Sequence, residues 1–264
     1  MPHTFCKLLL CAGSCILALS PASATDSWHV TGTPAAITQD FPFTNGKVNL
    51  AGTLYLPATG DHLPAVVALH AALVANRDAE LYRHLREGLP AIGIAVLLYD
   101  RRGSGGSSGN YDSSDYETLA SDAVAGQHAL AAISRIDPRK IGFWGLSQGG
   151  WLALLAASSS PDAAFAVVVS APLVTPEKQM QFATANLLTV RGYSQSDVER
   201  MLTARKAWID YIRGGQSRAG AASALRDVET QPWFELAFLP KASQLPTDPG
   251  SSPWHKKVAQ KNGR

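Results

Sequence analysis

Several short stretches of this chain are apolar at every position instead of at every second one: Ala65-Val66-Val67-Ala68-Leu69, residues 94–98, and Phe165-Ala166-Val167-Val168-Val169. A strand apolar on both sides must be covered on both faces, which is the situation of a parallel sheet between helical layers. The intervening segments supply the helices. Leu81, Leu85 and Leu89 recur at helical spacing within residues 76–89, and Leu119, Ala123, Gly126, Leu130 and Ile133 step by four and three behind a Ser114/Glu117 capping box. Asp137-Pro138 ends that helix, residues 140–144 form a further short strand, and residues 147–158 a helix of small side chains. Strand, helix, strand in this order implies right-handed crossovers and an α/β layer architecture.

The flanks differ. Residues 37–43 and 47–56 alternate around Asn45-Gly46, a pair suited to the positive φ of a tight turn, and predict an N-terminal antiparallel hairpin. From residue 175 the pattern becomes helical: Thr175-Pro176 starts one helix, and Ser196 with Glu199 caps another that stops at Gly214-Gly215. We read residues 25–174 as the α/β core, 175–242 as a helical cap or insert after the sixth strand, and 243–264 as an irregular tail rich in Pro, Ser, Gly and Lys.

Residues 1–24 read as a removable export signal: Lys7, an apolar run over 8–19, then Ala22-Ser23-Ala24 as a cleavage site. The run is shorter than the roughly 20 residues that span a bilayer, so a membrane anchor is the weaker reading, as is a lipoprotein at Cys15, where Ala12 replaces the aliphatic residue such a site needs. The expectation is a periplasmic or secreted protein with no membrane partner after signal removal. Cys6, Cys11 and Cys15 all fall in this segment, so the processed chain has no thiol for disulfides, nucleophilic attack or zinc. A net charge of +2 without a Lys/Arg cluster removes the footprint of nucleic-acid binding.

Gly145-Leu146-Ser147-Gln148-Gly149 fits G-x-S-x-G directly after a strand and directly before a helix. There the glycines permit a sharp turn that lifts the serine hydroxyl above the sheet, while the Gln148 N–H and the helix dipole face a developing oxyanion. Ser147 is therefore the candidate nucleophile and Gln148 a candidate oxyanion donor. The loop Gly103-Ser104-Gly105-Gly106-Ser107-Ser108-Gly109 lacks the P-loop lysine and the G-x-G-x-x-G spacing, so it reads as a rim of the cleft rather than a phosphate cradle. No H-E-x-x-H or clustered His/Asp pair suggests a metal, and no cofactor is expected.

With residues 65–70, Tyr99-Asp100-Arg101-Arg102-Gly103, residues 137–141 and residues 145–150 in place, the chain resembles the α/β-hydrolase superfamily, in particular exported serine esterases and dienelactone-hydrolase-like or prolyl-aminopeptidase-like members, over roughly residues 40–172. The resemblance implies a small-molecule ester or amide substrate, an acyl-enzyme on Ser147, and a second oxyanion N–H from the segment after the first long strand, at Ala71 or Ala72. Family members usually have His-Gly and small residues there. This chain has His70-Ala71-Ala72-Leu73-Val74-Ala75-Asn76-Arg77-Asp78, and a positive φ at Leu73 or Val74 would cost on the order of 1 kcal/mol. His70 reads as a structural residue at a strand end, and Asp100, Arg101 and Arg102 as a salt-bridge group holding the glycine-rich loop.

The resemblance also implies an acid and then a histidine on loops after two further core strands. Neither strand is evident. After Ser147 the only histidine is His255, and Asp248, seven residues before it, leaves no room for the intervening elements; both are weak candidates. We therefore expect a C-terminally shortened product with a non-family tail from about Ser243, either impaired as a hydrolase or reduced to a catalytically inactive remnant or binding protein. Residues 165–169 would then be an apolar sheet edge that invites self-association.

Overall fold

The computed structural model describes residues 36–251; residues 1–24, read above as an export signal, and His255 lie outside them. Six strands, β1 (Ile37–Asp40), β4 (Gly52–Leu56), β5 (Leu63–Leu69), β6 (Ala95–Tyr99), β7 (Ile136–Leu146) and β8 (Ala166–Val169), form one sheet in the order β1-β4-β6-β5-β7-β8. β6, β5, β7 and β8 are parallel, whereas β1 and β4 are antiparallel additions at one side. The remaining pair, β2 (Phe43–Asn45) and β3 (Val48–Leu50), is the tip of the hairpin: Gly46 takes a φ of 58°, and the register runs on from Phe43↔Leu50 to Asp40↔Thr53. The mostly parallel α/β sheet with its N-terminal hairpin is thus present, with β8 as the sheet edge among the described residues.

Both faces of the sheet are covered, as apolar runs without alternation require. Ala65, Val67 and Leu69 of β5 pack with Leu119, Ala123 and Leu130 of α2 (Tyr116–Ala131) and with Leu152, Ala153 and Ala156 of α3 (Gln148–Ser159). Val66 and Ala68 face the other way, onto Tyr82 and onto Leu85 of α1 (Arg83–Ala91). The β8 edge is barer, with Val167 43% and Phe165 39% exposed.

The structure moves several helix ends. α1 begins at Arg83 rather than near Asn76, because residues 71–79 are loop held from outside: the Arg77 N–H donates to Asp100 at 2.8 Å, and the Tyr82 hydroxyl donates to the Val74 carbonyl at 3.2 Å. The cap of α2 is Asp115, which accepts the Thr118 N–H at 2.8 Å, while Ser114 donates to the Asn110 carbonyl. Likewise α5 (Gln195–Ile212) is capped by a Ser194/Asp197 box and not by Ser196 and Glu199. Here two acceptors stood within a residue or two of each other, and periodicity alone does not choose between them.

Residues 176–245 make a second apolar core. α4 (Pro176–Val190), α5 and α6 (Arg218–Arg226) bury Leu188, Met201, Trp208, Ile212, Leu225 and Trp233 together. Helix α6 was not evident in the sequence. Ala242 and Leu245 close this core, so the segment beginning at residue 243, expected to be irregular, starts as packed 3₁₀ structure. No helix among the described residues is long and apolar enough to cross a membrane.

One ion pair links the hairpin, the β6 end and α2. Arg102 donates to Asp122 through Nε at 2.6 Å and Nη2 at 2.5 Å, and Asp122 also accepts from Asn45 Nδ2 at 2.8 Å. Asp122 is 1% exposed, so removing it strands a buried guanidinium. Asp122→Ala is expected to lower the free energy of unfolding by about 3–5 kcal/mol in urea titration.

Candidate active site

The carboxyl ends of β5, β6 and β7 meet at one rim of the sheet, where open α/β sheets place their ligands. They deliver His70-Ala71, Asp100-Arg101-Arg102 and Ser147 respectively. Between β7 and α3 there is no loop at all: Leu146 ends the strand, Ser147 is the N-cap, and Gln148 begins the helix.

Ser147 carries the turn at φ 54°, ψ −115°, a conformation that L-residues seldom adopt and that is held only when its surroundings enforce it. Its N–H donates to the Val169 carbonyl at 2.9 Å, and its carbonyl accepts the Gly150 N–H at 2.9 Å. The glycines explain how the chain fits. A Cβ on Gly145 would lie 1.9 Å from the Gly149 carbonyl oxygen, and one on Gly149 would lie 2.2 Å from that of Leu69. Both obstacles are backbone, so neither position tolerates a side chain. The Gln148 N–H stands at the first turn of α3, where backbone donors lack intrahelical acceptors.

The Gln148 side chain turns inward. Its Nε2 donates to the Tyr111 hydroxyl at 3.1 Å and to the Tyr116 hydroxyl at 3.4 Å, and its Oε1 lies 3.5 Å from Arg101 Nη1. The same Nη1 donates to the carbonyls of Ala72 at 3.1 Å and Ala71 at 3.4 Å, and the guanidinium sits 3.8 Å over the Tyr111 ring. Arg101 thus ties the loop after β5 to the helix after β7. Its neighbours behave as the expected salt-bridge group, Asp100 to Arg77 at 2.7 Å and Arg102 to Asp122, but Arg101 forms no ion pair among the described residues. Tyr82, Tyr111 and Tyr116 were not foreseen, since nothing in their local sequence marks them as facing this rim.

The loop after β5 needs no glycine. None of residues 71–78 has a positive φ, so Leu73 and Val74 escape the anticipated strain, and Leu73 is simply exposed. The Ala71 N–H donates to the Tyr82 hydroxyl at 3.0 Å and is already engaged, whereas the Ala72 N–H has no partner among the described residues.

His70 is enclosed, 2% exposed, between the rings of Tyr82 and Tyr99 at 5.4 and 5.3 Å. It bonds the Tyr99 backbone, and among the described residues its Nε2 has no hydrogen-bond partner. Burial, reinforced by the Arg101 charge, pushes its pKa from 6.5 down to about 3. The imidazole is therefore neutral and packs as a ring. Among the described residues, no hydrogen bond joins the Ser147 hydroxyl to any histidine or carboxylate, and Asp248 is an exposed residue accepting the Gly250 N–H at 3.0 Å. No group of three His, Cys, Asp or Glu side chains able to hold a metal occurs among the described residues.

A parallel sheet with a strained serine at a strand-to-helix turn defines an α/β hydrolase. The family model described as serine aminopeptidase, S33 matches residues 64–216, more than half of the chain, and the chain belongs to that family. An uncharacterized protein of Mycobacterium tuberculosis, found in two strains, is 34% identical over 124 residues, which are 46% of this chain and 41% of the relative. The matched segment thus spans about two fifths of that relative's length. Among solved structures, the chain is similar to the α/β hydrolase GrgF of Penicillium sp. sh18 (24% identity, 58% of this chain and 53% of that one, TM-score 0.49). It is also similar to an esterase of Pyrococcus furiosus (24%, 58% and 56%, 0.49) and to a hypothetical protein of Pseudomonas aeruginosa (21%, 72% and 59%, 0.49).

Two outcomes test this description. Gly149→Ala forces the first turn of α3 off the end of β5 and is expected to destabilise the protein by about 1–3 kcal/mol, measured by urea denaturation. For His70, the unfolded chain takes up a proton near pH 6.5 and the folded one only near 3, so stability falls as the pH drops through that interval. The slope due to this group is at most about 1.4 kcal/mol per pH unit, and it is expected to vanish from the stability profile of His70→Gln.

Proposed function

We propose that the chain is a serine hydrolase of esters or small amides. The conformation of Ser147 supports this reading above all: a residue strained to φ 54° at the carboxyl end of a central strand, followed at once by a helix N-terminus. In this reading the Ser147 Oγ attacks the substrate carbonyl carbon and gives up its proton to a base. The carbonyl oxygen becomes an oxyanion held by the N–H groups of Gln148 and Ala72, the second replacing Ala71, whose N–H serves Tyr82. The alcohol or amine leaves with a proton, and water then clears the acyl group from Ser147.

One observation favours a second reading, a hydrolase core that binds without turnover: among the described residues no imidazole is hydrogen-bonded to Ser147, and the buried His70 is too weak a base to serve. An unassisted serine hydroxyl stays protonated at neutral pH and attacks slowly.

A fluorophosphonate separates the two. Displacement of fluoride from phosphorus by Oγ leaves a covalent adduct, so the wild type is expected to gain the probe mass on the peptide carrying Ser147, with Ser147→Ala at background. Equal failure of both proteins refutes the hydrolase reading and leaves the binding one.

A further inference from the structure

Among the described residues β8 is the outermost strand on its side of the sheet, and only one of its two backbone edges is used. The Phe143 N–H donates to the Phe165 carbonyl at 3.0 Å and the Ser147 N–H to that of Val169 at 2.9 Å, so residues 165, 167 and 169 turn their peptide groups toward β7. Strand backbone alternates with a period of two, and Ala166 and Val168 therefore point their N–H and C=O groups away from β7. No described residue bonds them. The side chains are open as well. The Phe165 ring fills the space beside Gly142, Val167 stands on the same face, and both remain exposed. Val168 faces α3 beside Gly150, and Leu154, one turn further along the same side of that helix, is also exposed. Sheets protect such edges with charges, prolines or bulges. Here residues 163–171 contain no charged residue and no proline, and the register with β7 is unbroken.

The edge is complementary to itself. In an antiparallel pair, two opposed residues that both present their peptide groups exchange two hydrogen bonds. Setting Ala166 opposite Val168 of a second copy, and Val168 opposite Ala166, uses every free N–H and C=O of both strands. Neighbouring registers do not. One calls on Ala164, whose N–H already donates to the Ile141 carbonyl at 2.9 Å, and the other on Ser170, which leaves the strand at a φ of 52°. We propose that the chain forms a two-fold dimer by antiparallel pairing of β8 with β8 of a second copy, centred on Val167, which joins the two six-stranded sheets into one. Val167 then faces its counterpart as a non-hydrogen-bonded pair with Cα atoms about 4.5 Å apart, and Phe165 stands beside Val169 of the second copy. No like charges meet, since the strand and its flanks carry none. The pairing closes on itself, whereas joining β8 to the opposite edge, β1, would set Asp40 against apolar residues and generate an open chain of copies. With one four-residue strand per copy, the interface lies at the small end, below about 1,200 Å², where complexes exchange with free subunits. In the dimer the strand whose Val169 carbonyl holds the Ser147 N–H becomes an interior one.

The interface does not rest on the chemistry proposed at Ser147. Sedimentation velocity of the full chain tests it: between about 1 and about 100 µM the protein is expected to pass from monomer to dimer, with no larger species. Val167→Lys keeps an exposed position exposed but sets two ammonium groups against each other on the two-fold axis. It is expected to melt as the wild type does at low concentration and to stay monomeric throughout. The register is tested by oxidation. Val167→Cys is expected to form a disulfide between the two residues 167, identified by peptide mass spectrometry apart from any link through Cys6, Cys11 or Cys15. Phe165→Cys is expected not to link to its counterpart, which lies about 14 Å away along the strands. A wild type that stays monomeric at the highest concentration, a folded Val167→Lys that dimerises undiminished, a ladder of larger species, or linking through residue 165 as readily as through 167 would each overturn the assignment.

Discussion

The first turn of α3 rests directly on the end of β5, main chain against main chain, and the geometry of the rim depends on that contact. At Gly149 there is room for a hydrogen and nothing larger before the Leu69 carbonyl, and Gly145 is closed in the same way by Gly149 itself. With both neighbours pinned, Ser147 has no lower-energy conformation to relax into: its amide is fixed by Val169 and its carbonyl by Gly150. The sheet fixes the angle, the glycines fix the distance, and the serine absorbs the strain.

A second layer of organisation comes from three consecutive residues at the end of β6 that point to three different places. Asp100 gathers Arg77 and the Gly106 N–H, Arg102 reaches Asp122 and through it Asn45, and Arg101 spans from the Ala71 and Ala72 carbonyls to Gln148. Family members place glycines in the loop after the first long parallel strand. Here that loop is kept in place without them by a cation over the Tyr111 ring on one side and the Tyr82 hydroxyl on the other. The same substance is achieved by side chains that the backbone elsewhere achieves alone.

The unalternated strands, the hairpin turn and the serine elbow were legible in the sequence because each follows from a local rule: burial on both faces, a dipeptide able to take positive φ, and a motif bounded by strand and helix. Asp115 and Ser194 were missed as caps because another acceptor stood within two residues of each, and the choice is made by how the helix seats on its neighbours. The Ala71 N–H, one of the two expected oxyanion candidates, is engaged by a hydroxyl from Tyr82, eleven residues away in the chain. The tyrosines around Gln148 were unreadable for the same reason: Tyr111, Tyr116 and Gln148 meet only once α2 and α3 lie side by side. Helix α6 carries small residues, Ala221 and Ala222 among them, whose apolar period is weak until the partner helix is known.

The two apolar cores share no side chain: Leu69, Phe143 and Leu152 belong to one, Met201, Trp208 and Trp233 to the other. Substitutions among the side chains around Trp233 therefore remove no side chain from the core beneath Ser147. The helical half and the turn that presents the serine are thus stabilised by separate sets of apolar residues.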